Sequence, residues 1–102
     1  PEYTINGMIA DRKGVEGEKG ISDGFKRAIE QTCNCVVIDL NTNFIRKKVN
    51  FRAVASRIDW RSEDFISGKI LECYVVYKDK AVVIHGLTSY EEIKAIIKRL
   101  EP

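Results

Sequence analysis

The run Cys-Val-Val-Ile-Asp-Leu at residues 35–40 constrains the fold more than any other segment of this 102-residue chain. Every residue in it except Asp39 is apolar, and Val36, Val37 and Ile38 are β-branched. A short run of this kind is typical of a central strand that is buried on both faces. We therefore expect a sheet with this strand in its middle and other elements covering it.

Patterns before and after that strand predict the remaining elements. Asn6-Gly7 lies between two short strand-like runs and predicts a hairpin, because a type I′ turn needs positive φ at both central residues. The later patterns predict a helix capped by Ser22 and running to about Thr32, and a helix from Asn50 to about Ile58. They also predict a hairpin of strands Ile70–Tyr77 and Ala81–His85 around Lys78-Asp79-Lys80, and a last helix opened by Thr88 or Ser89. The predicted order is β-β-α-β-α-β-β-α.

These elements predict an α/β (α+β) fold, a mixed central sheet with an N-terminal β-hairpin and with helices packed on the sheet faces. The length suits a single domain, residues 1–102. Because the first residue is Pro1 and not Met, we expect a C-terminal fragment of a longer protein.

The chain has no apolar run that could span a bilayer and no signal peptide, so no membrane contact is expected. Cys33, Cys35 and Cys73 are expected to be buried, reduced thiols, which favours a reducing, cytoplasmic location.

Two carboxylates and a lysine near the N-terminus are the best candidates for chemistry. With a two-residue turn at Asn6-Gly7, Glu2 lies directly opposite Asp11, with Cβ atoms about 5 Å apart. Like charges so placed repel each other unless a cation lies between them, and a hard divalent ion with oxygen ligands is the natural candidate. Lys13 follows Asp11 by two residues, so strand alternation predicts the same face. The arrangement favours metal-dependent phosphodiester cleavage; charge that keeps a hairpin edge soluble is the alternative.

The same residues resemble a known motif. Pro1-Glu2-Tyr3, Gly7 and Asp11-Arg12-Lys13 are similar to the motif of PD-(D/E)XK nucleases, in which a proline–acid pair precedes a strand ending in acid-x-Lys. The spacing resembles that of nuclease domains in contact-dependent growth-inhibition toxins and in phage-borne toxins. The order of elements along most of the chain is similar as well.

That resemblance implies a site and its partners. It implies Glu2 and Asp11 as ligands of Mg²⁺ or Mn²⁺, Lys13 as the catalytic lysine, and Gln31 facing the site from the following helix. Glu2 departs from the commoner Asp, and a solvent-facing or capping role is the alternative for Gln31. RNA or DNA is the implied substrate, and a cognate inhibitor protein is an implied partner.

The stretch from Arg46 to Arg61 is the candidate nucleic-acid surface. Its basic residues are Arg46, Lys47, Lys48, Arg52, Arg57 and Arg61, and the aromatic residues Phe44, Phe51 and Trp60 lie among or beside them. Such a composition suits contacts with phosphates and unstacked bases, although a solvated amphipathic helix is the simpler interpretation. It supports an alternative function, a non-catalytic nucleic-acid-binding or protein-binding module on a nuclease-like scaffold.

His85, the only histidine, supports a third hypothesis, a metal-independent ribonuclease toxin. A packed or surface histidine is the simpler interpretation. A Cys73–His85 pair across the second hairpin would offer a nucleophile and a base.

Overall fold

A computed structural model describes residues 2–5, 8–14, 19–41, 49–86 and 89–101, with side chains described from residue 20 onward within these ranges. The elements are, in chain order, β1 (Glu2–Ile5), β2 (Met8–Gly14), α1 (Lys19–Glu30), β3 (Cys35–Asp39), α2 (Phe51–Asp59), α3 (Ser62–Ile66), β4 (Glu72–Tyr77), β5 (Lys80–His85) and α4 (Tyr90–Lys98).

The strands form a mixed sheet in the order β1-β2-β3-β4-β5. β3 pairs parallel with β2 and with β4, whereas β4 and β5 pair antiparallel. β3, β4 and β5 thus contain both kinds of pairing, and the predicted α+β class with a mixed sheet is confirmed. The backbones of β1 and β2 pair antiparallel. Asn6 and Gly7 lie outside the described residues, so the type I′ turn between those strands stays a prediction.

β3 is buried on both sides, as its sequence predicts. Cys35, Val36, Val37 and Ile38 are at most 4% exposed. Val36 and Ile38 belong to the main hydrophobic core, and Cys35 and Val37 alternate to the opposite face.

All four described helices pack on one face of the sheet. Phe25, Ile58 and Ile93 belong to the buried cluster that includes Val36, and the half-buried Phe65 of α3 packs against that cluster. The strand order β2-β3-β4 advances without reversal, and right-handed crossovers of that kind put both connecting helices on the same side. The helices expected on the sheet faces therefore form a single layer, and we call the opposite side the open face.

α1 begins at Lys19, three residues before the predicted cap Ser22, and ends with a Schellman motif. The N–H of Cys33 donates to the carbonyl of Ala28 at 2.8 Å, and the N–H of Thr32 donates to the carbonyl of Ile29 at 3.0 Å. This motif needs a left-handed residue, usually Gly, and here Thr32 adopts it with φ 58°. A β-branched residue in that conformation is strained.

α2 agrees closely with its predicted range. Asn50 is its N-cap and not its first helical residue, because its Oδ1 accepts a hydrogen bond from the Ala53 N–H at 3.0 Å. The short helix α3 was not predicted. Its Phe65 packs edge-on against Phe25 with ring centroids 5.7 Å apart, which joins α3 to α1.

The second predicted hairpin is confirmed with a shorter loop. Tyr77 pairs with Lys80, so the loop is Lys78-Asp79. Ser89 caps α4 as predicted, because its hydroxyl accepts a hydrogen bond from the Glu92 N–H. Within the described ranges, the helices lack the length and apolar character needed to cross a membrane.

Replacing Thr32 by Gly should stabilise the fold. Gly adopts positive φ without the Cβ clash, which costs an L-residue roughly 1–2 kcal/mol, and part of that gain is offset by the larger backbone entropy of Gly when unfolded. We expect Thr32→Gly to raise the free energy of unfolding by about 0.5–1 kcal/mol in urea titrations. Thr32→Ala is the control, since it removes the hydroxyl but keeps a Cβ. Greater stability in the Ala variant than in the Gly variant would contradict the assignment of strain.

Candidate functional site

Several candidate residues lie at one edge of the sheet, where the parallel strands β2, β3 and β4 begin; we call it the N-edge. α1 and α2 each run back towards this edge, because α1 connects β2 to β3 and the segment containing α2 and α3 connects β3 to β4. Gln31 and Trp60, just beyond those helices, therefore lie at the N-edge. His85 joins them because it ends β5 opposite Glu72, the first residue of β4.

The backbone register of β1 and β2 puts Glu2 opposite Asp11. Asp11 is in turn beside Val36 of β3, and Lys13 is beside Ile38. The side chains of Glu2, Asp11 and Lys13 lie outside the described residues, so their convergence around a metal stays a prediction.

Gln31 is the first residue after α1 and is half-buried. Its N–H donates to the carbonyl of Arg27 at 3.0 Å, and its own carbonyl accepts from the Thr32 hydroxyl at 2.6 Å. The described backbone contacts of Gln31 thus belong to the end of the helix. Three residues separate Gln31 from Cys35, which pairs with Ala10, the neighbour of Asp11. Gln31 therefore lies at the same edge as the predicted metal ligands.

The predicted basic surface is only partly described. Arg46, Lys47 and Lys48 lie outside the described residues. Arg52 is exposed on α2, whereas the Nε of Arg61 forms an ion pair with the Asp64 carboxylate at 2.7 Å. That carboxylate offsets part of the positive charge that the sequence predicts here.

Trp60 is the one interleaved aromatic residue that the structure shows at the surface. It is 65% exposed, and the Arg57 guanidinium lies 4.2 Å from its ring centroid. Phe51 instead packs against Tyr77, with ring centroids 5.3 Å apart. Arg57 and Trp60 therefore form a cation–π pair that could stack a nucleobase.

A second polar group lies on the open face at the N-edge. Cys35, Glu72 and His85 occupy one row across β3, β4 and β5, because Glu72 is the register partner of both other residues. The hydroxyl of Tyr74 donates to Oε1 of Glu72 at 3.0 Å. The sequence pointed to His85, alone or with Cys73, and not to Glu72. Its pairing with Glu72 depends on the loop length of the second hairpin, which was predicted one residue too long.

The three cysteines are buried, as predicted. Burial, then the Glu72 carboxylate and then Cys33, raise the pKa of the Cys35 thiol from 9.0 to about 11. Burial, with a smaller effect of Cys35, raises the pKa of Cys73 further still. Both thiols are therefore poor nucleophiles near neutral pH.

The Cys73–His85 arrangement is not supported. Cys73 pairs with Ile84 and lies in the core, whereas His85, one residue farther along β5, is exposed. Successive residues of a strand point to opposite faces, so the two side chains are on different sides of the sheet.

Among the residues whose side chains are described, no three His, Cys, Asp or Glu side chains are placed to hold a metal ion. The side chains of Glu2 and Asp11 are not among them. Compared with protein-family models, curated proteins and solved structures, the chain matches none of them.

The buried thiols predict a loss of stability at alkaline pH. A thiol whose pKa is higher in the folded state than in the unfolded state stabilises the folded protein. This stabilisation is complete at pH values below 9.0, the pKa of the unfolded thiol, and it decreases as the pH rises above that value. Each such thiol lowers the free energy of unfolding by up to about 1.4 kcal/mol per pH unit in that range. We expect Cys73→Val to show a smaller loss than the wild type between about pH 8 and about pH 10 in urea titrations.

Ile84→Val is the matched control for Cys73→Val, since it alters the same part of the core without removing a titrating group. Equal pH slopes in Cys73→Val and in the wild type would contradict the assigned cause.

Proposed function

We propose that this chain is a metal-dependent nuclease that hydrolyses phosphodiester bonds of RNA or DNA, as a toxin-like domain of phage or mobile-element origin. The observation that carries the proposal is the backbone register that pairs Glu2 with Asp11. Adjacent carboxylates in one cross-strand pair would repel each other, and a divalent cation between them removes that cost.

In this proposal Glu2 and Asp11 hold Mg²⁺ or Mn²⁺, which polarises the phosphoryl oxygen and lowers the pKa of a bound water. Lys13 stabilises charge on the phosphate, and its register position two residues beyond Asp11 supports that role. Gln31 contributes from the end of α1 at the N-edge. A cognate inhibitor protein belongs to the proposal as the partner that would block the site.

The basic surface would hold the substrate. Arg46, Lys47, Lys48, Arg52, Arg57 and Arg61 supply phosphate contacts in this proposal. The Arg57–Trp60 pair supports it most directly. The exposed indole can stack on a base, and the guanidinium beside it can contact a phosphate. The same pair favours a second candidate function, a binding module that holds nucleic acid without cleaving it.

Removing one proposed metal ligand tests the leading function. In buffer with Mg²⁺ or Mn²⁺, we expect Asp11→Asn to lower the metal-dependent cleavage of RNA or DNA by about 100-fold, because the cation loses an anionic ligand. Asp79→Asn is the matched control, since Asp79 lies in the exposed loop between β4 and β5. Cleavage of DNA, and the metal-dependent part of any RNA cleavage, should also stop when EDTA removes the metal.

Cleavage by Asp11→Asn at the wild-type rate would refute the metal site. Salt-sensitive binding without cleavage at any metal concentration would favour the binding module instead.

Intrinsic fluorescence tests the substrate surface, because Trp60 is the only tryptophan in the chain. Single-stranded oligonucleotides should quench this fluorescence when a base stacks on the indole. We expect Trp60→Leu to weaken binding by about 10-fold, measured by anisotropy of a labelled oligonucleotide, since stacking contributes roughly 1–3 kcal/mol per base. Arg57→Gln should weaken it as well.

Arg99→Gln is the charge-matched control for Arg57→Gln. Arg99 is exposed at the end of α4, and neighbouring Glu101 accepts a hydrogen bond from Lys80 at the opposite edge of the sheet. Equal loss of affinity in the two arginine variants would show that overall charge, and not the Arg57–Trp60 pair, determines binding.

A further inference from the structure

The open face carries an acidic and a basic side chain in direct register. Glu72 begins β4, His85 ends β5, and the two are cross-strand partners. Their neighbours Cys73 and Ile84 lie in the core on the helix side, so alternation places Glu72 and His85 on the open face. Cross-strand partners have Cβ atoms about 5 Å apart, which is within reach of a single phosphodiester group.

Glu72 is held in place by its own strand. The Tyr74 hydroxyl, two residues along and on the same face, donates a hydrogen bond to Oε1 at 3.0 Å. Glu72 is half-buried and His85 is exposed. The carboxylate is thus oriented, and the imidazole lies at the surface.

We propose that Glu72 and His85 form a general base and general acid that cleave RNA without a metal ion. The proposal rests on nucleic acid being the substrate, as proposed above, but not on the metal site at Glu2 and Asp11.

The reaction balances without any co-reactant. The Glu72 carboxylate takes the proton of a ribose 2′-hydroxyl, and the 2′-oxygen attacks the adjacent phosphorus. The bond from phosphorus to the 5′-oxygen of the next nucleotide breaks, and the imidazolium of His85 gives that oxygen its proton. The products are a 2′,3′-cyclic phosphate and a 5′-hydroxyl. DNA cannot react in this way, because it has no 2′-hydroxyl.

Tyr74 is a positioning residue in this scheme. It acts through Glu72, so Tyr74→Phe should lower kcat and leave KM nearly unchanged. The neighbouring thiol of Cys35 takes no part as a nucleophile, because it is buried and protonated near neutral pH.

The test is cleavage of an RNA oligonucleotide in EDTA. We expect Glu72→Gln and His85→Gln each to lower the metal-free rate by about 100-fold or more, the usual contribution of general acid–base catalysis. A 2′-deoxy substitution at the cleaved nucleotide should stop the reaction, and mass spectrometry should find the cyclic phosphate. Glu63→Gln, an exposed carboxylate variant on α3, should cleave like the wild type.

Circular dichroism checks that each variant is folded. If Glu72→Gln does not fold, the His85→Gln variant still tests the proposal, because His85 is exposed and its replacement should not disturb the fold. The inference is overturned if no RNA is cleaved in EDTA, or if folded His85→Gln cleaves at the wild-type rate. Metal-dependent cleavage that survives both Glu72→Gln and His85→Gln would leave the metal site standing and refute the acid–base pair. Metal-free cleavage that requires Glu72 and His85, and that does not increase on adding Mg²⁺ or Mn²⁺, would support the acid–base pair and refute the metal site.

Discussion

Parallel pairing of β3 with both β2 and β4 is the interaction on which the rest of the structure depends. Parallel neighbours cannot be joined by a tight turn, so each connection must cross the sheet and return to the same edge. α1 makes the first of these connections, and the segment containing α2 and α3 makes the second. Both are on one side because right-handed crossovers in an unreversed strand order cannot alternate.

That constraint gives the two faces different chemical characters. The helix side holds the fully buried apolar residues of the core, including Phe25, Ile38 and Ile84. The open face has Glu72 and His85 at the N-edge, where polar side chains need no helix to cover them. Asp11 and Lys13 of the proposed metal site are instead register partners of Val36 and Ile38, which are core residues of β3. The metal site and the Glu72–His85 pair therefore have different surroundings.

Much of the fold was predictable because its signals are local. The apolar run in β3 indicated a central strand, and Ser89, one of the two residues predicted to open α4, is its N-cap. The short helix α3 was missed because five residues contain too little helical periodicity to detect, and Phe65 packing on Phe25 is a tertiary contact. The end of α1 was also hard to place, since Thr32 lacks the usual preference of Gly for a left-handed turn.

In the candidate sites, too, some features follow from local sequence signals and others from tertiary contacts. By itself, the sequence determined which segments become strands and helices and predicted Glu2 opposite Asp11 from a two-residue turn, because hairpin register depends on a few neighbouring residues. It also named Arg57 and Trp60 within one basic stretch. Only the tertiary structure decided that all described helices share one face, that Arg61 is paired with Asp64, and that Glu72 lies beside His85. The first two outcomes depend on crossover handedness and on side-chain contacts, which a local pattern of residues does not contain. The third depends on a hairpin loop one residue shorter than the sequence predicted.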